Sequence, residues 1–126
     1  MSLTRTSSTE TVPYFRLRVL LEYDRIYKVF AAHCLETGNV VTADTPGDAK
    51  SMIKELLEDE INFALEYKNL RNLFCAPAPM DIWNKWQSAA RENDIETIPL
   101  NVSAREIKLD QDEEVKNEVS FAQTAA

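Results

Sequence analysis

Between Val40 and Tyr67 the chain passes from a β-branched run, V-V-T-A, to a long apolar repeat at helical spacing, and that junction constrains everything around it. Thr45 stands as an N-cap, Pro46 takes the first helical position and Asp48 completes a capping box of the form T-x-x-D. Ala49, Met52, Ile53, Leu56, Leu57, Ile61, Ala64 and Leu65 then recur at steps of three and four, which predicts one buried helix face. Lys50, Lys54, Glu55, Glu58, Asp59 and Glu66 fall on the other, solvated side, with Lys54 and Glu58 spaced for an ion pair. An apolar helix stripe of this length needs a sheet or a second helix to cover it.

The residues upstream supply the sheet. In F-R-L-R-V-L-L-E-Y, Phe15, Leu17, Val19 and Leu21 alternate with Arg16, Arg18, Leu20 and Glu22, the period-two pattern of a strand with one buried face and one exposed face. Asp24-Arg25 marks a turn, and I-Y-K-V-F-A-A-H-C follows as a second strand. In it Tyr27, Val29, Ala31 and His33 share one face, and Lys28, Phe30, Ala32 and Cys34 share the other. Apolar residues on both faces predict a strand covered on both sides. Gly38-Asn39 is a hairpin turn leading to a third strand from Val40 to Asp44.

Downstream, Asn69, Asn72 and the C-A-P-A-P run at 75–79 end the helical pattern, while Leu70, Leu73 and Phe74 still point to the core. Met80 to Arg91 reads as a shorter helix with Ile82, Trp83, Trp86, Ala89 and Ala90 as a partial stripe. I-E-T-I-P-L-N-V, from Ile95 to Val102, reads as a fourth strand, and Pro99 places it at an edge or a bulge because it cannot donate to a ladder. The expected fold is α+β: an antiparallel sheet of three to four strands, in the order β-β-β-α-α-β, with the helices packed on one face. The expected organisation is a disordered lead-in over residues 1–12, one domain over 13–103, and an acidic, flexible tail over 104–126 that holds the cluster Asp110 to Glu114.

The segment Tyr14 to Tyr67 resembles the HicB-like antitoxin family. The resemblance is carried by Tyr27 with Ala31, Gly38, Val40-Val41, Asp44-Thr45 and Asp48-Ala49, in that order and with those spacings. It implies a core of a β-hairpin, a third strand, a helix and a further strand, and a chain that works by binding another protein. The residues themselves offer no constellation of nucleophile, base and orienting group, so no catalytic residues and no cofactor are expected.

Composition narrows the function further. A net charge of −7 over 126 residues disfavours direct DNA binding, which rests on neutralising phosphates with Lys and Arg, and suits a small basic protein partner. Only two glycines argue against phosphate-cradling loops. No apolar run approaches the roughly 18 residues of a membrane span, so the chain is expected to be cytosolic. Cys34 and Cys75 match no metal or redox spacing and read as reduced, partly buried thiols. His33, the only histidine, adjoins Cys34, but neighbouring strand residues point to opposite faces and cannot form a nucleophile pair. One histidine and two distant cysteines also fall short of a zinc site.

Glu58, Asp59 and Glu60 read as a solvated helix face, with Glu60 nearer the apolar stripe and placed to pair with Arg16 or Arg18. The candidate interface residues are Trp83 and Trp86, three apart on one helical face, and Arg16 and Arg18 on the open face of the first strand. The expectation is a non-enzymatic protein acting by protein–protein contact and self-association. The alternative is a structural or adaptor homo-oligomer with no such partner.

Overall fold

The computed structural model describes residues 15–102 and 117–124. Strands β1 (Arg16–Asp24), β2 (Val29–Cys34) and β3 (Val40–Ala43) are followed by helices α1 (Pro46–Glu66), α2 (Leu70–Leu73) and α3 (Met80–Glu92), then by strands β4 (Glu96–Pro99) and β5 (Glu118–Gln123). The sheet has five strands in the order β3-β2-β1-β5-β4. β1–β2, β2–β3 and β4–β5 are antiparallel, with Leu20 opposite His33, Ala32 opposite Val41 and Ile98 opposite Val119. β1 and β5 are parallel, with Val19 opposite Phe121.

The sheet is mixed rather than antiparallel, because the chain returns at Glu118 to fill the centre of the sheet beside β1. Residues 118–123 are therefore not tail: Val119, Phe121 and Ala122 are buried. Their short V-x-F-A pattern shows the strand, but the preceding acidic run obscures it. The expected lead-in at 1–12 and the acidic cluster at 110–114 lie outside the described residues. β4, by contrast, stands at the edge beyond β5, where Pro99 does not interrupt a ladder on its outer side.

The helices also occupy both faces rather than one. On the first face, Leu17, Val19 and Leu21 of β1, Ala32 and Cys34 of β2, and Val119 and Phe121 of β5 pack against Ala49, Ile53, Leu57 and Ile61 of α1. On the second, Leu20, Leu35 and Ala122 pack against Ile82, Trp86 and Ala89 of α3. Leu20 is the reason: it sits among Arg16, Arg18 and Glu22 in the alternation, and an apolar side chain of that size at the sheet centre requires cover.

The start of α1 follows the sequence closely. Thr45 is in extended backbone and its Oγ1 accepts a hydrogen bond from Asp48 N at 3.0 Å. The buried stripe is narrower than the apolar repeat, since Met52 is exposed and Leu56 and Leu65 are only half-buried. Leu70, Leu73 and Phe74 do pack against the α1-side core, and the Phe74 ring stacks on Phe15 with centroids 6.0 Å apart. The C-A-P-A-P run then carries the chain around the end of the sheet to its other face. Ala78 N donates to Leu35 O at 2.9 Å, and Gly38 meets the backbone of Ala76 so closely that a Cβ would lie 2.1 Å from the Ala76 oxygen. Gly38 also has φ +81°, so both its space and its backbone exclude a side chain.

Candidate functional site

At the end of the sheet where Gly38 turns the chain, the β2–β3 turn, the second half of α1 and the short α2 enclose a groove of about 560 Å³. Thr37 and Asn39 come from the turn, Asp59, Glu60, Phe63 and Ala64 from α1, Asn69 from the linker, and Asn72 and Leu73 from α2. Helical geometry accounts for the α1 contribution. Ile53, Leu57, Ile61 and Ala64 face the sheet, so the adjoining row Asp59, Glu60, Phe63 and Tyr67 runs along the shoulder of the helix. Phe63 and Tyr67, four apart, pack ring on ring at 4.6 Å and remain 60% and 61% exposed. Glu60 is fixed from the turn: Asn39 Nδ2 donates to its Oε1 at 2.7 Å. Asn39 is itself held because its backbone N–H donates to Thr37 Oγ1 at 3.3 Å.

Glu60 thus pairs with Asn39 and not with Arg16 or Arg18. Both arginines lie on the opposite face of the sheet. The Arg18 backbone N–H and Nε both donate to Glu36, at 2.8 and 2.6 Å, and Arg16 Nε lies 3.7 Å from Glu118. The groove therefore has two carboxylates, three carboxamides, one aromatic ring (Phe63) and no cation in its lining, a surface suited to a cationic side chain carried on an apolar segment.

The four interface candidates do come together. Arg16, Arg18 and Trp86, with Leu17, Ile95, Glu118 and Ser120, line a crevice of about 400 Å³ between α3 and the sheet. Trp83 stands beside it, with the Arg18 guanidinium carbon 4.8 Å from its ring centroid. The tryptophans are largely used within the chain, since Trp86 is buried in the α3-side core and Trp83 Nε1 donates to Ala78 O at 3.0 Å, while Arg16 and Arg18 stay exposed.

His33 and Cys34 face opposite ways. Cys34 lies in the α1-side core and burial pushes its thiol up to about 11, which keeps it protonated and poorly nucleophilic. Cys75 is exposed, so of the two thiols only Cys34 is buried, and it is fully so. On the α3 side, His33 Nε2 is buried 3.4 Å from Glu22 Oε1 and makes no hydrogen bond. Burial lowers the His33 pKa against the opposing pull of Glu22, and Lys85 adds to the lowering. Lys85 Nζ donates to Glu22 Oε2 at 2.6 Å, and that bond raises the lysine's own pKa. Glu22 is thereby engaged by a cation already, and the His33 imidazole stays neutral beside it. Among the described residues no group of three or more His, Cys, Asp or Glu side chains could hold a metal ion, and no helix is long and apolar enough to cross a membrane.

No family model, no curated protein and no solved structure matches this chain. The groove residues Thr37, Asn39, Asn69 and Asn72 escape sequence reasoning because polar turn residues carry no periodic signal. The one legible sign is the pair Phe63 and Tyr67, an i,i+4 aromatic row outside the apolar stripe and directly after two carboxylates.

Proposed function

We propose that this chain is a non-enzymatic, HicB-like cytosolic protein that acts by protein–protein contact, and that the groove between the β2–β3 turn and α1 is its contact surface for a small basic protein. The observation that carries this reading is the exposed Phe63–Tyr67 pair set beside the carboxylates of Asp59 and Glu60. Aromatic side chains exposed to this extent beside like-signed charges are a poor use of surface in an isolated molecule and a good one in an interface. The chain's net charge of −7 adds long-range attraction for a basic partner. The family reading is supported by element order: a hairpin, a third strand, the long capped helix and a further strand beside β1.

Affinity capture from a lysate of the native host tests this, with the wild-type chain and the double variant Glu60→Lys, Phe63→Ala as baits at low and moderate salt. The expected result is a small basic protein held by the wild type, released as salt rises, and absent from the variant. Capture of the same protein by both baits contradicts the groove reading. The second reading, a self-assembling structural or adaptor protein, is favoured by the crevice lined by Arg16, Arg18 and Trp86. It predicts that the wild type recovers only itself.

A further inference from the structure

We infer that the groove also receives the β1–β2 hairpin tip of a second copy of this chain, so that free molecules associate head to tail. The inference rests on the groove being the contact surface. At the other end of β2, the turn Arg25-Ile26-Tyr27-Lys28 projects two large apolar side chains into solvent. Ile26 is 84% exposed and Tyr27 is 75% exposed, more than any other large hydrophobic residue described.

The tip is held rigid. Asp24 Oδ1 accepts hydrogen bonds from the backbone N–H groups of Ile26 and Tyr27 at 2.9 and 3.1 Å, and the rings of Tyr23 and Phe30 pack at 5.0 Å across the base of the hairpin. Lys28 takes φ +56°, the left-handed conformation that closes the turn. A preordered apolar tip loses little conformational entropy on docking.

Charge selects the partner surface. The Asp24 carboxylate is turned in on the turn's own amides, which leaves Arg25 and Lys28 as exposed cations flanking Ile26 and Tyr27. The groove offers the complement: Asp59 and Glu60 at its rim, Phe63 and Leu73 as apolar wall, and no cation in its lining. An aromatic and an aliphatic side chain fit its volume of about 560 Å³, with the two cations left at the carboxylate rim. Tip and groove lie at opposite ends of β2, about 20 Å apart for a strand of this length, so one molecule cannot satisfy its own groove. Two unlike surfaces on one chain make a heterologous contact, which propagates from copy to copy. The tip is small and two copies of net charge −7 repel at long range, so the association is weak and rests on the local contact of Arg25 and Lys28 with the groove carboxylates.

Sedimentation equilibrium of the full chain over a wide concentration range tests this, at low and moderate salt. The tip variant is Arg25→Glu with Tyr27→Ala, and the groove variant is Glu60→Lys with Phe63→Ala. The milder single variants Tyr27→Ala and Phe63→Ala serve should a double variant lose its circular dichroism spectrum. The wild type is expected to associate beyond a dimer as concentration rises, and each variant to weaken association at least about 10-fold, the effect of losing one hot-spot aromatic. Mixed one to one, the two variants retain one working tip and one working groove between them. They are expected to form a heterodimer and nothing larger. A monomeric wild type at every concentration, variants that associate as the wild type does, or a mixture that stays monomeric overturns the inference. If the groove variant still loses the basic partner in affinity capture while any of these holds, self-docking alone has failed and the contact reading stands.

Discussion

His33 carries the clearest local consequence of the two-faced sheet. Its imidazole is half-buried on the α3 side, with Nε2 buried and without a hydrogen bond, and burial holds its pKa below the ordinary 6.5. Between that lowered value and 6.5 the unfolded chain binds more protons than the folded one, so stability rises with pH across that window. The contribution is fully present above 6.5 and is lost as pH falls through the folded-state value. Thermal unfolding followed from about pH 7.5 down to about pH 5.5 should show the midpoint falling, and His33→Gln should flatten that fall, since histidine alone titrates there unperturbed. An equal slope in both proteins would contradict the assignment. The groups facing His33 from the neighbouring elements are Glu22 on β1 and Lys85 and Asp81 on α3; burial is the largest influence, Lys85 adds to its lowering, and Glu22 and Asp81 oppose it. At this scale the sequence was informative about the direction in which His33 and Cys34 point. Strand alternation alone places them on opposite faces, and the structure has them there. Alternation does not indicate that Glu22 and Lys85 meet beside His33, because that contact joins residues 63 positions apart through the docking of α3.

At the scale of elements, α1 was the most legible part of the chain because every local signal agrees. The cap, the proline at the first position and the apolar stripe all specify a helix from Pro46. Thr45→Ala removes the acceptor for Asp48 N and should cost about 1 kcal/mol in denaturant unfolding. No measurable loss would show that the cap is replaced by water at no cost. β4 was legible as an edge strand for an equally local reason, the missing donor of Pro99. α3 was legible as a helix but not in its placement. Its stripe of Ile82, Trp86 and Ala89 specifies burial without saying against which face. The answer lies in Leu20 and Ala122, two residues on strands far apart in sequence. Placing α3 there also decides the position of the interface candidates. Trp86 is drawn into the core, Trp83 is pinned by Ala78, and Arg18 is shared between Glu36 and the Trp83 ring. The groove on the other side draws on three elements at once, and for that reason no single stretch of sequence announces it.

For the whole molecule, the decisive feature is that the first strand is central and the last described strand is beside it, inside the sheet. β5 lies between β1 and β4 and buries Val119 and Phe121 against α1 and Ala122 against α3, so it closes both cores. Its parallel pairing with β1 is a long-range contact with no local signature, and the helical and acidic segments between the two strands hide it from a linear reading. Deletion of residues 117–126 should therefore abolish cooperative thermal unfolding rather than trim a tail. A deletion variant that still unfolds in one sharp transition would show that the remaining strands fold without β5. A closed fold of this kind leaves function to its ends and edges, where the groove sits opposite the hairpin tip along β2. The most direct test of the groove as the working surface is a chemical-shift titration of the labelled chain with the basic protein it captures. The shifted amides should cluster at Thr37, Asn39 and the stretch from Asp59 to Leu73. Shifts confined to Arg16, Arg18 and Trp83 would contradict it and move the contact surface to the other face of the sheet.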